Sequence, residues 1–167
     1  KLLNPWLLDP DYVQRFVRER QILAQLAHPG IARLLDGGVS GQGVPWLAME
    51  YIDGLGIGAW AERHDASLRE RVAMVLKVCD AVQFAHSRGV IHGDIKPGNM
   101  LLNQDGQVKL ADFGLARLMG HGDASAEAWT PMGTPEYAAP ELYDKNAVAD
   151  HRADIYSFAI LVFQMLT

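Results

Sequence analysis

Four polar residues in the middle of the chain have the types and spacing that phosphoryl transfer from a nucleotide requires. Asp94, Lys96 and Asn99 fall in the run His-Gly-Asp-Ile-Lys-Pro-Gly-Asn at 92–99, and Asp112 follows thirteen positions after Asn99. The reaction needs a carboxylate to orient the attacking hydroxyl, a cation for the moving phosphoryl group, and an amide plus a carboxylate to hold divalent metal. The Asp-Phe-Gly that begins at Asp112 makes the combination specific.

The elements that must position these residues follow from the apolar pattern. The short apolar runs 100–102 and 108–110 flank the turn sequence Asn-Gln-Asp-Gly, which predicts a small hairpin. The loop at 92–99 and Asp112 therefore lie at the two ends of one hairpin.

A second hairpin and three helices are predicted around this region. The hairpin comprises the apolar runs 31–39 and 44–51, which are separated by Ser-Gly-Gln-Gly. The helices are predicted over about residues 10–27, from the capping box Ser67-Leu-Arg-Glu70 to near Gly89, and from the cap residue Asp150 to the end.

Two segments lack periodicity and are predicted to be irregular. Gly54, Gly56 and Gly58 favour a turn or linker, because they do not have the G-x-G-x-x-G spacing of a phosphate loop. Residues 115–136 are small and polar, which is typical of a long surface loop.

Composition limits the partners and the compartment. The chain has 167 residues, of which 49% are hydrophobic, and its net charge of -5 gives no support to a nucleic-acid or anionic-membrane partner. Cys79 is the only cysteine, which fits a reducing cytosol, and its place on an apolar helix face predicts a buried thiol. The first residues lack a signal-peptide pattern, and the apolar stretch 153–167 is too short to span a bilayer. We expect a cytoplasmic segment.

Several motifs together resemble those of a protein kinase of the bacterial (Hanks-type) serine/threonine class. Residues 92–99 are similar to that family's catalytic loop, and Asp112-Phe-Gly is similar to its magnesium-binding motif. The run Gly-Thr-Pro-Glu-Tyr-Ala-Ala-Pro-Glu at 133–141 resembles the end of an activation segment. Asp154-Ile-Tyr-Ser resembles the start of the family's central buried helix, whose aspartate supports the catalytic-loop backbone.

The resemblance implies an α+β, protein-kinase-like two-lobe fold that is truncated at both ends. Residues 1–52 would be a partial N-lobe from strand 3, with the regulatory helix and the hinge. Residues 53–167 would be the upper C-lobe, with the catalytic loop, the activation segment and the central helix. Because no glycine-rich loop precedes Lys1, we expect these residues alone to transfer phosphate poorly.

The resemblance also implies a division of labour in catalysis. Asp94 would orient the acceptor hydroxyl and accept its proton, and Lys96 would neutralise charge on the transferring phosphoryl group. Asn99 and Asp112 would hold Mg²⁺ against the phosphates of ATP. Thr134 would contact Asp94 and Lys96 and shape the acceptor site. Lys96 points to serine or threonine of a protein substrate as the acceptor.

Further residues would bind the nucleotide if the resemblance holds. Lys1 would contact the α- and β-phosphates when Glu19 positions it, although a first-position lysine could also be a chain start only. The adenine would accept and donate hydrogen bonds at the hinge, 50–52. The pocket residues implied are Met49, Glu50, Ile52 and Leu101.

Gly93 is the least typical residue of the loop, because most protein kinases have arginine there. In the family that guanidinium receives a phosphorylated activation-loop residue, a charge-assisted contact that glycine cannot make. One hypothesis is that activity depends little on phosphorylation at Ser125 or Thr130. The alternative is that glycine merely eases a tight loop.

Two other functions share parts of the pattern. Small-molecule phosphotransferases of the aminoglycoside and choline kinase type have His-Gly-Asp-x-x-x-x-Asn, but they typically carry histidine in place of Lys96 and lack the 133–141 segment. A non-catalytic kinase-like binding module usually loses the base or a metal ligand, whereas Asp94, Asn99 and Asp112 are all present.

Overall fold

The computed structural model describes six parts of the chain, which are residues 20–21, 23–41, 43–113, 117–118, 134–143 and 150–167. Lys1, Glu19 and most of the predicted loop at 115–136 lie outside the described residues. The predicted first helix is described only from residue 20, and its helical part ends by Leu23. A turn precedes His28-Pro29, because proline disfavours the helical conformation of the residue before it.

The predicted hairpin at 31–51 is confirmed, although its strands are shorter. Strands β1 (Leu34–Val39) and β2 (Pro45–Met49) pair antiparallel, with Leu34 opposite Met49 and a bulge after Leu34. The Ser40 backbone N–H donates to the carbonyl of Val44 at 2.9 Å, and its hydroxyl accepts from Val44 N at 3.1 Å. Ile31 instead forms a parallel bridge to Leu110.

The second predicted hairpin is also present, and the glycine-rich segment joins it as a third strand. Strand β3 (Gly54–Gly56) pairs with β5 (Met100–Asn103), which pairs with β6 (Val108–Leu110). The prediction of a turn or linker at Gly54, Gly56 and Gly58 was therefore wrong, because the first two lie in β3 and Gly58 lies in the helix that follows.

A close approach of two backbones explains Gly54 and Gly56. A Cβ on Gly54 would overlap the Leu102 carbonyl, and one on Gly56 would lie 3.0 Å from the Pro97 carbonyl oxygen. A short helix, α1 (Ile57–Arg63), follows directly and was not predicted.

The predicted capping box opens the longest helix, α2 (Leu68–His86). The Ser67 hydroxyl accepts from Glu70 N at 3.4 Å, and Ser67 N donates to Glu70 Oε2 at 2.8 Å. The helix ends before Gly89, whose φ of +73° suits glycine. Cys79 is exposed, so the prediction of a buried thiol was wrong.

The apolar stripe of α2 that enters the core differs in part from the one that helical spacing predicts in the sequence, which is Val72, Val75, Leu76, Cys79, Val82 and Phe84. Both stripes have helical spacing, and the core takes the one that packs against β6 and the last helix. That face consists of Met74, Val75, Val78, Ala81, Val82 and Ala85, while Val72 and Leu76 are 38% and 63% exposed.

The last helix, α3 (His151–Leu166), begins where it was predicted. Asp150 accepts a hydrogen bond from Arg152 N at 2.8 Å, as a cap residue does. Its buried face includes Asp154, Ser157 and Leu161, and one core joins this face with α2, β5 and β6.

The whole arrangement is a mixed helix and sheet fold, as predicted. Short strands β4 (Val90–Ile91) and β7 (Arg117–Leu118) pair antiparallel beside it. Among the described helices, none is both long enough and apolar enough to cross a membrane.

Adding a methyl group at Gly54 tests the close strand approach. We expect Gly54→Ala to lower the free energy of unfolding by about 2 kcal/mol, because the Leu102 carbonyl must move. Gly41→Ala is the matched control: a Cβ there meets nothing within 4 Å, and we expect a change within about 0.5 kcal/mol. Urea unfolding measures both, and equal stabilities of the two variants would contradict the prediction.

Candidate active site

A buried carboxylate of α3 holds the backbone of the 92–99 loop. Asp154, which is 1% exposed, accepts from His92 N through Oδ2 and from Gly93 N through Oδ1, each at 2.8 Å. His86 Nε2, at the end of α2, lies 2.7 Å from the same Oδ2. The support that the sequence predicted from Asp154 is present. His86 was missed, because a histidine at a helix end carries no distinctive pattern.

The charge of Asp154 is maintained by these donors. Burial raises the pKa of its carboxyl, but the hydrogen bond from His86, the proximity of His92 and the two backbone donors outweigh burial. The net result is a pKa below the ordinary value of 3.8. The loop backbone is therefore bound to a full negative charge at neutral pH.

His92 links the loop to the segment that carries Asp112. Its side chain is buried, and burial lowers its pKa although Asp154 and Asp94 act in the opposite direction, so the ring is neutral. Asp94 N donates to Nδ1 at 3.1 Å, which leaves the proton on Nε2 to be donated to the Ala111 carbonyl at 3.0 Å. The ring also packs on Phe113, with centroids 4.6 Å apart.

Gly93 has a backbone conformation that favours glycine. Its φ is +80°, in the left-handed region where a side chain is strained. This supports the interpretation that glycine eases a tight loop, and it is compatible with the absence of an arginine contact.

Asp94 is the centre of a compact polar cluster. Its Oδ2 lies 2.8 Å from Lys96 Nζ and accepts from Asn99 Nδ2 at 2.9 Å. Its Oδ1 accepts from Thr134 N at 3.1 Å and lies 3.3 Å from the Thr134 hydroxyl, which also accepts from Lys96 Nζ at 2.6 Å. The structure therefore brings together Asp94, Lys96, Asn99 and Thr134.

The donors around Asp94 keep its carboxyl ionised. Partial burial raises the pKa of this carboxyl. Hydrogen bonds from Lys96, Asn99 and Thr134 lower the pKa by more than burial raises it, so it lies below its ordinary value. A carboxylate with this pKa is charged at neutral pH and can accept a hydrogen bond from a hydroxyl.

A single 3-10 turn returns Asn99 to Asp94. Pro97 occupies its first position, and Asn99 N donates to the Lys96 carbonyl at 3.0 Å. The Asn99 amide nitrogen donates to both the backbone and the side chain of Asp94. The amide oxygen of Asn99 is therefore the atom that can act as a metal ligand.

Asp112 follows β6 and lies beside the loop. Ala111 N donates to the Asn99 carbonyl at 2.8 Å, so the residue before Asp112 is tied to Asn99. Asp112 has a φ of +63°, which aspartate tolerates better than most residues. No group of three or more His, Cys, Asp or Glu that could hold a metal occurs in the described part of the chain. Oxygen ligands from Asn99 and Asp112 fit Mg²⁺, which usually takes few protein ligands together with phosphates.

An ion pair that the sequence analysis missed holds the side chain of Glu50, the first residue of the predicted hinge. Glu50 Oε1 lies 2.6 Å from Lys109 Nζ, and Oε2 accepts from Arg33 N at 3.0 Å. Glu50 N donates to the Arg33 carbonyl at 2.8 Å and is therefore already engaged. The carbonyl of Glu50 and the N–H of Ile52 are then the backbone groups that would form hydrogen bonds with adenine. A single lysine within a strand gives no signal of this contact.

The other predicted pocket residues lie on two strands that belong to different sheets. Met49 ends β2 opposite Leu34, and Leu101 on β5 pairs with Gly56 and with Lys109.

Comparison with known proteins identifies the family. Residues 7–167 match the model of the protein kinase domain, and the chain belongs to that family. A probable serine/threonine-protein kinase of Streptomyces coelicolor is 37% identical over 164 residues, which are 95% of this chain and 24% of that protein.

Two further relatives have similar coverage. The serine/threonine-protein kinase PknB of Mycobacterium leprae is 33% identical over 95% of this chain and 26% of its own length. Pkn1 of Myxococcus xanthus, also a serine/threonine-protein kinase, is 37% identical over 95% of this chain and 23% of its own length. The chain thus spans about a quarter of the length of these relatives.

Replacing the Asp154 carboxylate tests its hold on the loop. At pH 7 we expect Asp154→Asn to lower the free energy of unfolding by about 3 kcal/mol. The side-chain NH₂ group of asparagine would face an N–H donor that now forms a hydrogen bond with a carboxylate oxygen. Asp105→Asn, in the exposed turn before β6, is the control, with an expected change within about 0.5 kcal/mol.

The pH dependence of the free energy of unfolding shows whether the ionised form of Asp154 is the stabilising one. The folded pKa of Asp154 is depressed, so its stabilisation is complete above the ordinary value of 3.8 and is lost as the pH falls through the folded pKa. Urea unfolding of both proteins should therefore show a constant difference near neutrality that shrinks below pH 3.8. A difference that grows on acidification would contradict this role.

Proposed function

We propose that this chain is the catalytic segment of a kinase that transfers the γ-phosphoryl group of ATP to serine or threonine hydroxyls of proteins. The contact set of Asp94 carries the proposal, because an ionised carboxylate, a lysine and a threonine hydroxyl meet within 3.3 Å. Membership of the protein kinase family and the names of its relatives support it.

Asp94 is the residue proposed to act on the acceptor. Its carboxylate orients the incoming hydroxyl and accepts the proton that this hydroxyl loses as it attacks phosphorus. Lys96 lies 2.8 Å from this carboxylate, and its ammonium group is placed to stabilise negative charge on the transferred group.

Thr134 is proposed to shape the acceptor site. Its hydroxyl and its backbone N–H both face Asp94 Oδ1, so the segment that follows it is fixed against the base. A protein acceptor that lies along 134–143 would therefore present its hydroxyl beside Asp94.

The remaining predicted residues are proposed to hold the nucleotide. Asn99 and Asp112 would bind Mg²⁺, which neutralises charge on the phosphates when it is bound. The adenine would lie at the junction of two lobes, 1–52 and 53–167, against Met49, Leu101 and the backbone of Glu50 and Ile52. Lys1 and Glu19, outside the described residues, keep their predicted roles at the phosphates.

The alternatives have less support. A small-molecule phosphotransferase would not need the Thr134 contact with Asp94 and Lys96, and the relatives are named protein kinases. A non-catalytic binding module would not need the donors that keep Asp94 ionised.

Phosphoryl transfer to casein from labelled ATP tests the proposal in the full-length protein. We expect Asp94→Asn to lower kcat by about 10²- to 10⁴-fold, with ATP affinity changed by less than about threefold, because Asp94 acts on the acceptor. Asp105→Asn should keep the parent rate. A loss of less than about tenfold in Asp94→Asn, or labelling of choline or kanamycin in place of casein, would overturn the proposal.

Phosphatase treatment tests the consequence of Gly93. Since no arginine side chain precedes Asp94 to receive a phosphate, we expect the casein rate before and after treatment to differ by less than about tenfold. Mass spectrometry of the 115–136 segment confirms that phosphate has been removed. A loss of about a hundredfold, or about 2.7 kcal/mol of barrier, would contradict the hypothesis.

A further inference from the structure

A cleft lies on the side of Glu50 that faces Lys109, between the segment 26–35 and β6. It has a volume of about 470 Å³, within the usual range of about 300–1,000 Å³ for small-molecule sites. Leu26, Pro29, Ile31 and Leu35 supply its apolar lining. Leu26 and Ile31 are only 3% and 2% exposed and belong to the protein core, so Pro29 and Leu35, which are exposed, supply the apolar surface that a ligand can cover.

The charged groups of the cleft are Arg33, Lys109 and Glu50. Both carboxylate oxygens of Glu50 are engaged, one by Lys109 Nζ at 2.6 Å and the other by the backbone N–H of Arg33 at 3.0 Å. The Glu50 charge is thus compensated within the cleft, and the exposed Arg33 side chain adds a further positive charge. The cleft carries a net charge of about +1 on a chain whose net charge is -5.

We propose that this cleft binds a small monocarboxylate with an apolar body. The guanidinium of Arg33 forms paired hydrogen bonds with a carboxylate, a geometry that a lysine cannot reproduce. The apolar body lies on the exposed side chains of Pro29 and Leu35 and removes apolar surface from water. A neutral ligand of the same shape gains only the burial of apolar surface and not the paired hydrogen bonds with Arg33.

The cleft is connected to the candidate active site through β6. Leu110 N donates to the Gly30 carbonyl at 2.7 Å, and Ala32 N donates to the Leu110 carbonyl at 2.9 Å. Leu110 lies two positions before Asp112. A ligand that contacts both the segment 26–35 and Lys109 therefore stabilises the junction that leads to Asp112, independently of any phosphoryl transfer.

Titration of the ¹⁵N-labelled full-length protein with 4-phenylbutyrate tests the proposal. We expect saturable shifts of the Arg33, Glu50 and Lys109 amides with a Kd of about 1 mM or tighter. The neutral 4-phenylbutanamide should bind about tenfold more weakly, because it lacks the charge that pairs with Arg33.

Two matched variants identify the residue that recognises the carboxylate. Arg33→Gln should weaken 4-phenylbutyrate by about tenfold and leave the amide ligand unchanged, whereas Arg69→Gln, at an exposed site on α2, should alter neither. Thermal unfolding confirms that both variants fold. Absence of binding up to 10 mM (about 2.7 kcal/mol of affinity), equal affinity for acid and amide, or an unaffected Arg33→Gln variant would each overturn the proposal.

Discussion

The bond between the Asp154 carboxylate and two backbone N–H groups is the interaction on which the candidate site depends. Asp154 is almost fully buried, and its oxygens accept from His92, Gly93 and His86. A buried charge is tolerated only when such donors surround it, and removing them leaves it uncompensated. The same requirement fixes the loop, because His92 and Gly93 must present both N–H groups to one helix.

The anchored loop in turn positions the side chains that we propose to be catalytic. Gly93 adopts a positive φ, and the chain turns so that Asp94 N meets the ring of His92. The 3-10 turn at Pro97–Asn99 returns the Asn99 amide to Asp94. Asp94, the proposed base, is therefore held in place by the protein itself, and preorganisation of this kind lowers the entropic part of a reaction barrier.

The neutral ring of His92 extends this order to Asp112. Its Nε2–H group binds the carbonyl of Ala111, whose own N–H binds the carbonyl of Asn99. The residues proposed as the base and as the metal ligands are thus connected through one buried imidazole. Burial lowers the pKa of that imidazole and so keeps it neutral. Neutrality is required here, because a protonated ring could not accept the hydrogen bond from Asp94 N.

Local patterns in the sequence predicted the helix caps and the hairpins well. The capping box at Ser67, the hairpin beyond Asn99 and the cap at Asp150 depend on neighbouring residues, and all three are present. The polar cluster could also be predicted, because its members belong to recognisable motifs.

Contacts between distant segments escaped prediction. Gly54 is in a strand because the Leu102 backbone comes too close for a side chain, which its neighbours do not reveal. The exposure of Cys79 follows from which of two apolar stripes on α2 faces β6. The pair of Glu50 with Lys109 spans 59 positions and has no local signature.

Exchange of the His92 and Gly93 amide protons with solvent measures the hold of Asp154 most directly. In the native protein we expect both amides to exchange about as slowly as the buried face of α2, and in Asp154→Asn at least about a hundredfold faster. Exchange of both native amides at the rate of an unstructured peptide would contradict the central role of this carboxylate.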